Sequence, residues 1–332
     1  APLAAQHRIV TKVDELMALC DRLEAEQSDS ESAHARLVEA LLSTLTQSTD
    51  AADLASNWQR IAEHFDTLFT TERSVERFKQ TILRLAVMGR LLPQEPSDEP
   101  ASELLNAIAM ERNRLTLHEG LRTTAGGKVE GSNYYIDVPR SWEFERLGNL
   151  AKFIDYRGRT PVKTASGVPL ITAKNVRLGF LSREPQEFVS KKEYDDWMTR
   201  GFPRIGDILY TTEAPLGNVA IVDIGEPFAL AQRVICIQFH EPKISSYLKI
   251  ALLSEQVRRQ IEAEATGMTA TGIKASRLKE IPIPIPPLAE QRRIVAKVDE
   301  LMTLCDRMKE DLREARGQQS RLADTLIETA LT

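Results

Sequence analysis

The sequence predicts an α+β protein in which a mixed α/β domain lies between two long helices that form a coiled coil, with a helical connector ahead of the domain. Three observations lead to this prediction: one helical segment occurs twice, both copies carry a heptad pattern, and short β-rich runs fill the region between them. Two copies are too few for a solenoid, so we interpret them as duplicated helices with equivalent roles.

The duplicated segment spans residues 2–23 and returns at residues 287–308, 285 residues later, with 17 of 22 positions identical. In both copies apolar residues recur at alternating spacings of four and three, which are the a and d positions of a heptad. The predicted seam residues are Ile9, Val13, Leu16, Cys20, Leu23, Leu37 and Leu41 in the first copy and Ile294, Val298, Leu301, Cys305, Met308, Leu312, Leu322 and Leu326 in the second.

Each helix should run for roughly 40–45 residues, or about 65 Å at ~1.5 Å per residue. Gln27, His34 and Gln319 interrupt the seams, and such polar residues can fix the register of a pair at some cost in stability. The matching registers favour packing of the two helices on each other. The alternative is that each stripe packs on a globular core.

The pattern along the chain divides it into four segments: a first long helix at residues 1–48, a helical connector at 49–132, a mixed α/β domain at 133–286 and a second long helix at 287–332. In the connector, a helical repeat of apolar residues from Val75 to Leu85 should end near Gly89, and Pro100 suits the first position of a further helix.

The central domain contains β-rich runs at 168–172, 208–212, 219–222 and 234–239, bounded by Gly, Pro and Asp. Residues 247–264 have a helical pattern. Proline alternates through 281–287, and proline fixes φ and lacks an N–H donor, so this segment should be an extended strap, neither a helix nor a central strand.

Composition narrows the class of protein. No apolar run reaches ~18 residues, and no signal-peptide pattern opens the chain. Cys20, Cys236 and Cys305 have no disulfide or zinc spacing, so we expect small buried thiols in a reducing compartment, the cytoplasm.

Charge is unevenly distributed. Residues 140–280 carry 21 Lys and Arg against 17 Asp and Glu, a net charge of +4 within a chain of net charge −5, which leaves −9 for the rest. Residues 151–183 hold seven basic side chains and one acidic. This indicates either a confined polyanion-binding face or an ordinary solvated surface.

Several of these segments resemble the specificity (S) subunits of type I restriction–modification enzymes. The segments that carry the resemblance are IPIPIPPLAEQRRIV at 281–295 with its duplicate, LRLAVMGRLLPQ at 83–94, EPASELL at 99–105 and GDILY at 206–210. The resemblance extends over nearly the whole chain and is weakest in the α/β domain.

The resemblance implies a DNA sequence-recognition subunit whose long helices pair antiparallel and whose α/β domain is a target-recognition domain for half of a bipartite site. It also implies double-stranded DNA, methyltransferase (M) subunits and restriction/motor (R) subunits as partners, with S-adenosylmethionine, ATP and Mg on those subunits and no cofactor on this chain. No second recognition domain precedes the first helix, so we expect a fragment of a longer subunit or a half-subunit.

The candidate DNA-reading residues lie in polar, basic loops of the α/β domain. Arginine grips phosphate or reads guanine bidentately, an asparagine amide suits adenine, and hydroxyl-rich loops suit phosphate. The candidates are Arg157, Arg159, Lys163, Lys174, Asn175, Arg177, Gln232, Arg233, Thr269, Thr271, Lys274 and Arg277. For each, the alternative is a plain surface role.

Sequence motifs for catalysis are weak. There is no G-x-x-x-x-G-K-[ST] loop, the five His are scattered, and no cluster has metal-ligand spacing. Glu241-Pro242-Lys243 superficially resembles a nuclease motif but is common by chance. We therefore predict a non-catalytic subunit with no metal site. A structural coiled-coil adaptor whose α/β domain binds protein is the alternative, and an autonomous nuclease or methyltransferase lacks motifs.

Overall fold

The computed structural model describes residues 2–48, 51–119, 126–156, 160–267 and 271–331, and within them it confirms the α+β fold class. The helices are α1 (Leu3–Gln47), α2 (Ala51–Glu63), α3 (Phe65–Leu68), α4 (Glu72–Val87), α5 (Ala101–Glu119), α6 (Leu147–Leu150), α7 (Lys191–Trp197), α8 (Ser245–Leu253), α9 (Glu255–Ala263), α10 (Ala275–Glu280) and α11 (Leu288–Leu331). The strands are β1 (Glu143–Arg146), β2 (Ala151–Asp155), β3 (Lys163–Thr164), β4 (Val168–Ile171), β5 (Phe188–Val189), β6 (Ile208–Thr211), β7 (Val219–Ile221), β8 (Ala229–Leu230), β9 (Val234–Phe239) and β10 (Pro282–Ile285).

The two long helices have the predicted length, 45 residues for α1 and 44 for α11. The chain forms two compact units, residues 1–81 with 304–332, and residues 82–303. The division into four segments made from the sequence remains a prediction.

The first unit has an aromatic core next to the C-terminal end of α1. Val38, Leu42 and Leu45 of α1 are buried, and α1 packs against α2. The ring of Phe78 lies at the centre of the cluster, with its centroid 4.7 Å from that of Phe69. Burial of these large side chains supplies the main stabilisation of this unit.

Helix α4 lies antiparallel to the middle of α11, and three ion pairs join the two helices in order. The pairs are Glu72–Arg313 (2.8 Å between Oε2 and Nη2), Glu76–Lys309 (3.3 Å between Oε2 and Nζ) and Lys79–Asp306. Cys305 is buried beside them, and burial raises the pKa of its thiol to about 11. Ion pairs this exposed stabilise little, but their spacing fixes the register of the two helices.

The predicted pairing of the two seams needs a correction. In α11, Ile294, Val298 and Cys305 are buried, whereas Leu322 and Leu326 are exposed. The α1 seam is exposed at Ile9, Val13, Leu16, Cys20, Leu23 and Leu37, and Cys20 is therefore not the buried thiol that we predicted. The physical reason is that the complementary charges of α4 place this helix beside α11, so α11 has a partner other than α1 there.

The second unit contains two four-stranded sheets and a two-stranded ribbon. The first sheet has the order β2-β9-β6-β7 and is antiparallel throughout, and the second has the order β3-β5-β4-β8, with β4 and β8 parallel. One apolar cluster, which includes Ile154, Leu170, Leu209 and Trp197, is buried in this unit. The Trp197 indole donates to Leu230 O at 2.8 Å, so this large side chain is buried without an unsatisfied donor.

The four strands predicted from β-rich runs are confirmed as β4, β6, β7 and β9. The predicted helix at 247–264 is broken at Ser254, whose hydroxyl caps α9 by accepting from Val257 N. Serine at such a position satisfies a free helix N–H, so two short helices replace one. The proline strap is extended as predicted, and its residues 282–285 pair with β1.

A buried carboxyl anchors the first turn of α11 within the second unit. Glu290 is 1% exposed, accepts a hydrogen bond from Trp142 Nε1 at 2.8 Å and another from Gln94 Nε2 at 2.5 Å. Burial raises the pKa of Glu290, and the two hydrogen bonds oppose that rise. Arg293, in the next turn, pairs with Asp98 at 2.6 Å. The start of α11 is thus tied to the connector by groups far apart in sequence.

Candidate nucleic-acid interface

One end of the sheet β2-β9-β6-β7 gathers the loops that carry the predicted DNA-reading residues. The strand pairs at this end are Asp155 with Ile235, Thr211 with Val234, and Tyr210 with Val219. Because neighbouring strands are antiparallel, the loops that follow β2 and β6 emerge beside those that precede β9 and β7.

Further contacts bring the remaining candidate loops to the same end. They are Gln232 Nε2 to Thr160 Oγ1 (3.0 Å), Asn218 Nδ2 to Val176 O (2.8 Å) and the antiparallel β-bridge between Glu213 and Gly272. The described residues of five segments therefore approach one another. These segments are 160–163, 172–182, 212–218, 231–233 and 266–274. The sequence alone did not show that these segments are neighbours.

Four of the predicted basic residues here are neutralised by carboxylates. The ion pairs are Lys163–Glu187 (2.6 Å), Lys174–Glu187 (3.8 Å), Arg233–Glu213 (2.9 Å) and Arg277–Glu264 (3.2 Å). Arg177 and Lys274 are exposed, and neither makes an ion pair with any residue that the structure describes. The four paired cations share three carboxylates, Glu187, Glu213 and Glu264, and the carboxylates of Asp155 and Glu193 lie at the same end of the sheet.

Asn175 requires a correction, because its side chain is 1% exposed and its amide is fully used inside the protein. Its Oδ1 accepts from the Thr172 backbone N–H at 3.0 Å and from the Thr172 hydroxyl at 2.9 Å. Its Nδ2 donates to the carbonyl oxygens of Ser182 and Pro185, at 3.3 and 3.0 Å. Asn175 therefore holds the loop together and has no group left to read adenine.

We expect Asn175→Ala to lower the free energy of unfolding by about 2–4 kcal/mol, because it leaves several buried polar groups without partners. Urea unfolding of the full chain followed by circular dichroism measures this. Lys174→Ala, which changes the exposed neighbour, serves as the control and should stay within about 0.5 kcal/mol of the parent. An unfolding midpoint for Asn175→Ala equal to that of the control would contradict the structural role.

The other candidates are placed as follows. Arg157, Arg159 and Thr269 lie outside the described residues. Thr271 is exposed at the rim, and Gln232 is half-buried with its amide donating to Thr160. A role in DNA binding for any of these remains a prediction.

Two features of this end of the sheet escaped the sequence reasoning. The turn at 177–180, closed by a 2.9 Å hydrogen bond from Arg177 N to Phe180 O, exposes Leu178 and Phe180. In the neighbouring loop, Ala214 has φ +46°, a left-handed conformation that is uncommon for a residue with a side chain. The clustering of Pro215 and Gly217 directly after β6 was the available signal for this loop.

Two acidic residues noted in the sequence have structural roles. Asp207, in the GDILY segment, accepts from Gln238 Nε2 at 2.5 Å and from Arg204 N at 2.7 Å, and burial raises its pKa. Glu241 accepts from Lys243 N at 3.1 Å and so caps a short turn.

Among the described residues, no group of three or more His, Cys, Asp or Glu could hold a metal ion, and none of the helices is both long and apolar enough to cross a membrane.

Residues 139–315 match the family model described as the type I restriction modification DNA specificity domain. The match covers more than half of the chain and includes every candidate interface loop. The chain therefore belongs to this family.

Two Escherichia coli proteins are similar over 99% of this chain: the type I restriction enzyme EcoAI specificity subunit at 36% identity and the EcoEI specificity subunit at 33%. The chain spans 57% of the length of each of these relatives. Among solved structures, a crystal structure of an HsdS subunit from Thermoanaerobacter tengcongensis matches with 18% identity over 82% of this chain and 57% of that chain, at a TM-score of 0.44.

Proposed function

We propose that this chain is a non-catalytic DNA sequence-recognition component of a type I restriction–modification complex, and that its target-recognition domain, residues 133–286, reads one half of a bipartite site. The observation that carries the proposal is the convergence of basic loops at one end of a rigid sheet in a member of a DNA specificity family. Loops held by a rigid scaffold are where binding residues concentrate.

The ion pairs at the interface suit exchange with DNA phosphates. Exposed pairs such as Arg233–Glu213 are worth about 0–1 kcal/mol, so a phosphate replaces the carboxylate at small cost. The carboxylates that remain repel the DNA backbone, which weakens non-specific binding and raises the relative weight of base contacts. Exposed Arg177 and Lys274 are free to make the first phosphate contacts.

The rest of the complex follows from the same proposal. We infer that methyltransferase subunits and restriction/motor subunits assemble on the long helices, in the cytoplasm. These partners would hold S-adenosylmethionine, ATP and Mg, so this chain contributes recognition and scaffolding.

Selection from random duplexes tests the function. The full chain is immobilised, loaded with a randomised DNA library at ~50 mM salt and washed at ~200 mM salt, a range over which non-specific binding falls steeply. Enrichment of one short motif in double-stranded DNA is the expected result. If the recovered library is not enriched in any motif and the chain still binds a protein partner, the chain is a protein-binding adaptor and does not recognise a DNA sequence.

A further inference from the structure

A hairpin at the candidate DNA interface ends in two exposed apolar side chains. Residues 176–181 form this hairpin, and an antiparallel bridge between Val176 and Leu181 closes its base. At the tip, Phe180 is 61% exposed and Leu178 is 46% exposed, whereas Val176 and Leu181 are buried in the apolar core of the same unit. The two side chains at the tip therefore contribute nothing to that core.

Hydrogen bonds hold the hairpin in one position. Gly179 N donates to Val219 O of β7 at 2.8 Å, and Asn218 Nδ2 donates to Val176 O at 2.8 Å. The buried amide of Asn175 holds the base of the same hairpin. Gly179 has φ +97°, which glycine adopts without strain, so the chain reverses sharply there. The tip is thus a fixed projection at the edge of the sheet, and binding costs little loop ordering.

The charges around the tip are positive. Residues 172–183 include Lys174, Arg177 and Arg183 and no acidic residue. Lys174 and Arg183 form ion pairs with carboxylates outside this segment, and Arg177 forms none with the residues that the structure describes. Arg177 lies directly opposite Phe180 in the hairpin, joined to it by the hydrogen bond from Arg177 N to Phe180 O, so the two side chains project from the same face.

This combination of a cation and an aromatic ring fits double-stranded DNA, which has phosphates outside and stacked bases inside. The small size of the tip favours DNA over a protein partner. A stable protein interface buries about 800 Å² on each partner, whereas Leu178 and Phe180 are the only large exposed apolar side chains among residues 172–183, all of which the structure describes. A wedge between base pairs needs only one or two such side chains, and Phe and Leu both serve as wedges.

We propose that Phe180 is a wedge that enters between two neighbouring base pairs of the bound duplex and unstacks them, with Arg177 on the adjacent phosphate and Leu178 against the adjacent sugar. This role rests on the proposed function and adds a second way in which the domain reads DNA. Pyrimidine–purine steps such as TA and CA unstack most easily, so the wedge favours such a step without hydrogen bonds to its bases. Phe180 therefore determines specificity at one step through the deformability of DNA.

Fluorescence of 2-aminopurine measures the unstacking directly, because stacked neighbours quench this base in a duplex. Each adenine of the duplex selected from the random library is replaced in turn by 2-aminopurine, and TA and CA steps each contain an adenine. The full chain is tested as the parent, as Phe180→Ala and as Phe180→Leu, which retains an apolar wedge. Phe202→Ala is the matched control, because Phe202 is 54% exposed and its carbonyl oxygen accepts from Gln238, towards the opposite end of the sheet.

Binding of the parent should raise the fluorescence at one step and leave the other positions unchanged. Phe180→Ala should abolish this rise and weaken binding roughly tenfold, because a contact between an aromatic ring and a base is lost. The slope of log K against log salt should stay the same, since no phosphate contact is removed. Phe180→Leu should keep a rise at the same step, and Phe202→Ala should behave like the parent. Phe180→Ala should also unfold in urea at the midpoint of the parent, because the side chain is exposed.

Two outcomes would overturn the wedge and leave the proposed function in place. In the first, the parent binds the selected duplex and no adenine position shows a rise. In the second, Phe180→Ala keeps both the rise and the affinity of the parent. If no duplex is selected and Phe180→Ala instead prevents binding of a protein partner, the tip is a protein contact, and the proposed function fails together with the wedge.

Discussion

Gly89→Ala is expected to lower the free energy of unfolding by about 2–5 kcal/mol, the sum of a left-handed backbone penalty and overpacking. Gly89 has φ +66°, and a Cβ built on it would lie 2.5 Å from two ring carbons of Pro139 and 3.0 Å from Trp142. The glycine ends α4, where the Arg90 N–H bonds to Leu85 O at 2.9 Å. Both the left-handed backbone conformation and the lack of space exclude a side chain at residue 89.

Urea unfolding of the full chain, followed by near-ultraviolet circular dichroism, measures this effect. Gly127→Ala is a matched control, because a Cβ at Gly127 meets nothing within 4 Å and the backbone there is outside the left-handed region. The control should unfold at the midpoint of the parent. If Gly89→Ala also did so, the close packing of Gly89 against Pro139 and Trp142 would be wrong.

The helices that the sequence predicted well are those whose limits are encoded locally. Helix α4 ends at Val87, just before Gly89, because glycine alone adopts the left-handed turn there without penalty. Helix α5 starts at Ala101, directly after Pro100, which is compatible only with the first turn of a helix. The 44-residue length of α11 follows from a heptad pattern that no proline interrupts.

What covers a helix is not encoded in its own stripe. A heptad pattern shows that one face will be buried, but identical residues are buried in α11 and exposed in α1, as Val298 and Val13 illustrate. The decisive information lies in α4, whose Glu72, Glu76 and Lys79 match charges more than 220 residues away, as in the pair Lys79–Asp306. Such matches are recognisable only once the helices are side by side.

The candidate site also depends on contacts between segments that the sequence does not place together. Basic loops were evident from composition, and the structure places them at one end of a sheet. Asn175 was misinterpreted because its partners Ser182 and Pro185 are 7 and 10 residues further along, in a loop whose path the sequence does not specify. An amide side chain in a polar loop is equally suited to a base and to backbone groups of its own loop.

Simultaneous substitution of Lys174, Arg177, Arg233 and Lys274 by alanine should produce the largest loss of DNA binding, because it removes cations from four converging segments. Each phosphate contact contributes about 0.9 to the slope of log K against log salt, so the slope should become shallower by up to about 3–4. Affinity for the selected duplex at ~50 mM salt should fall by orders of magnitude. Anisotropy titrations with the full chain at several salt concentrations measure both quantities.

A second quadruple variant separates local contacts from overall charge. Lys12, Arg22, Arg307 and Arg321 are exposed on α1 and α11, and their replacement by alanine changes the net charge by the same amount. Long-range attraction is screened beyond about 10 Å at 0.1 M salt, so the helix variant should retain the salt slope of the parent. If both variants lost affinity equally, the loops at the end of the sheet would contribute only their charge. If only the helix variant lost affinity, the long helices would be the DNA-binding surface.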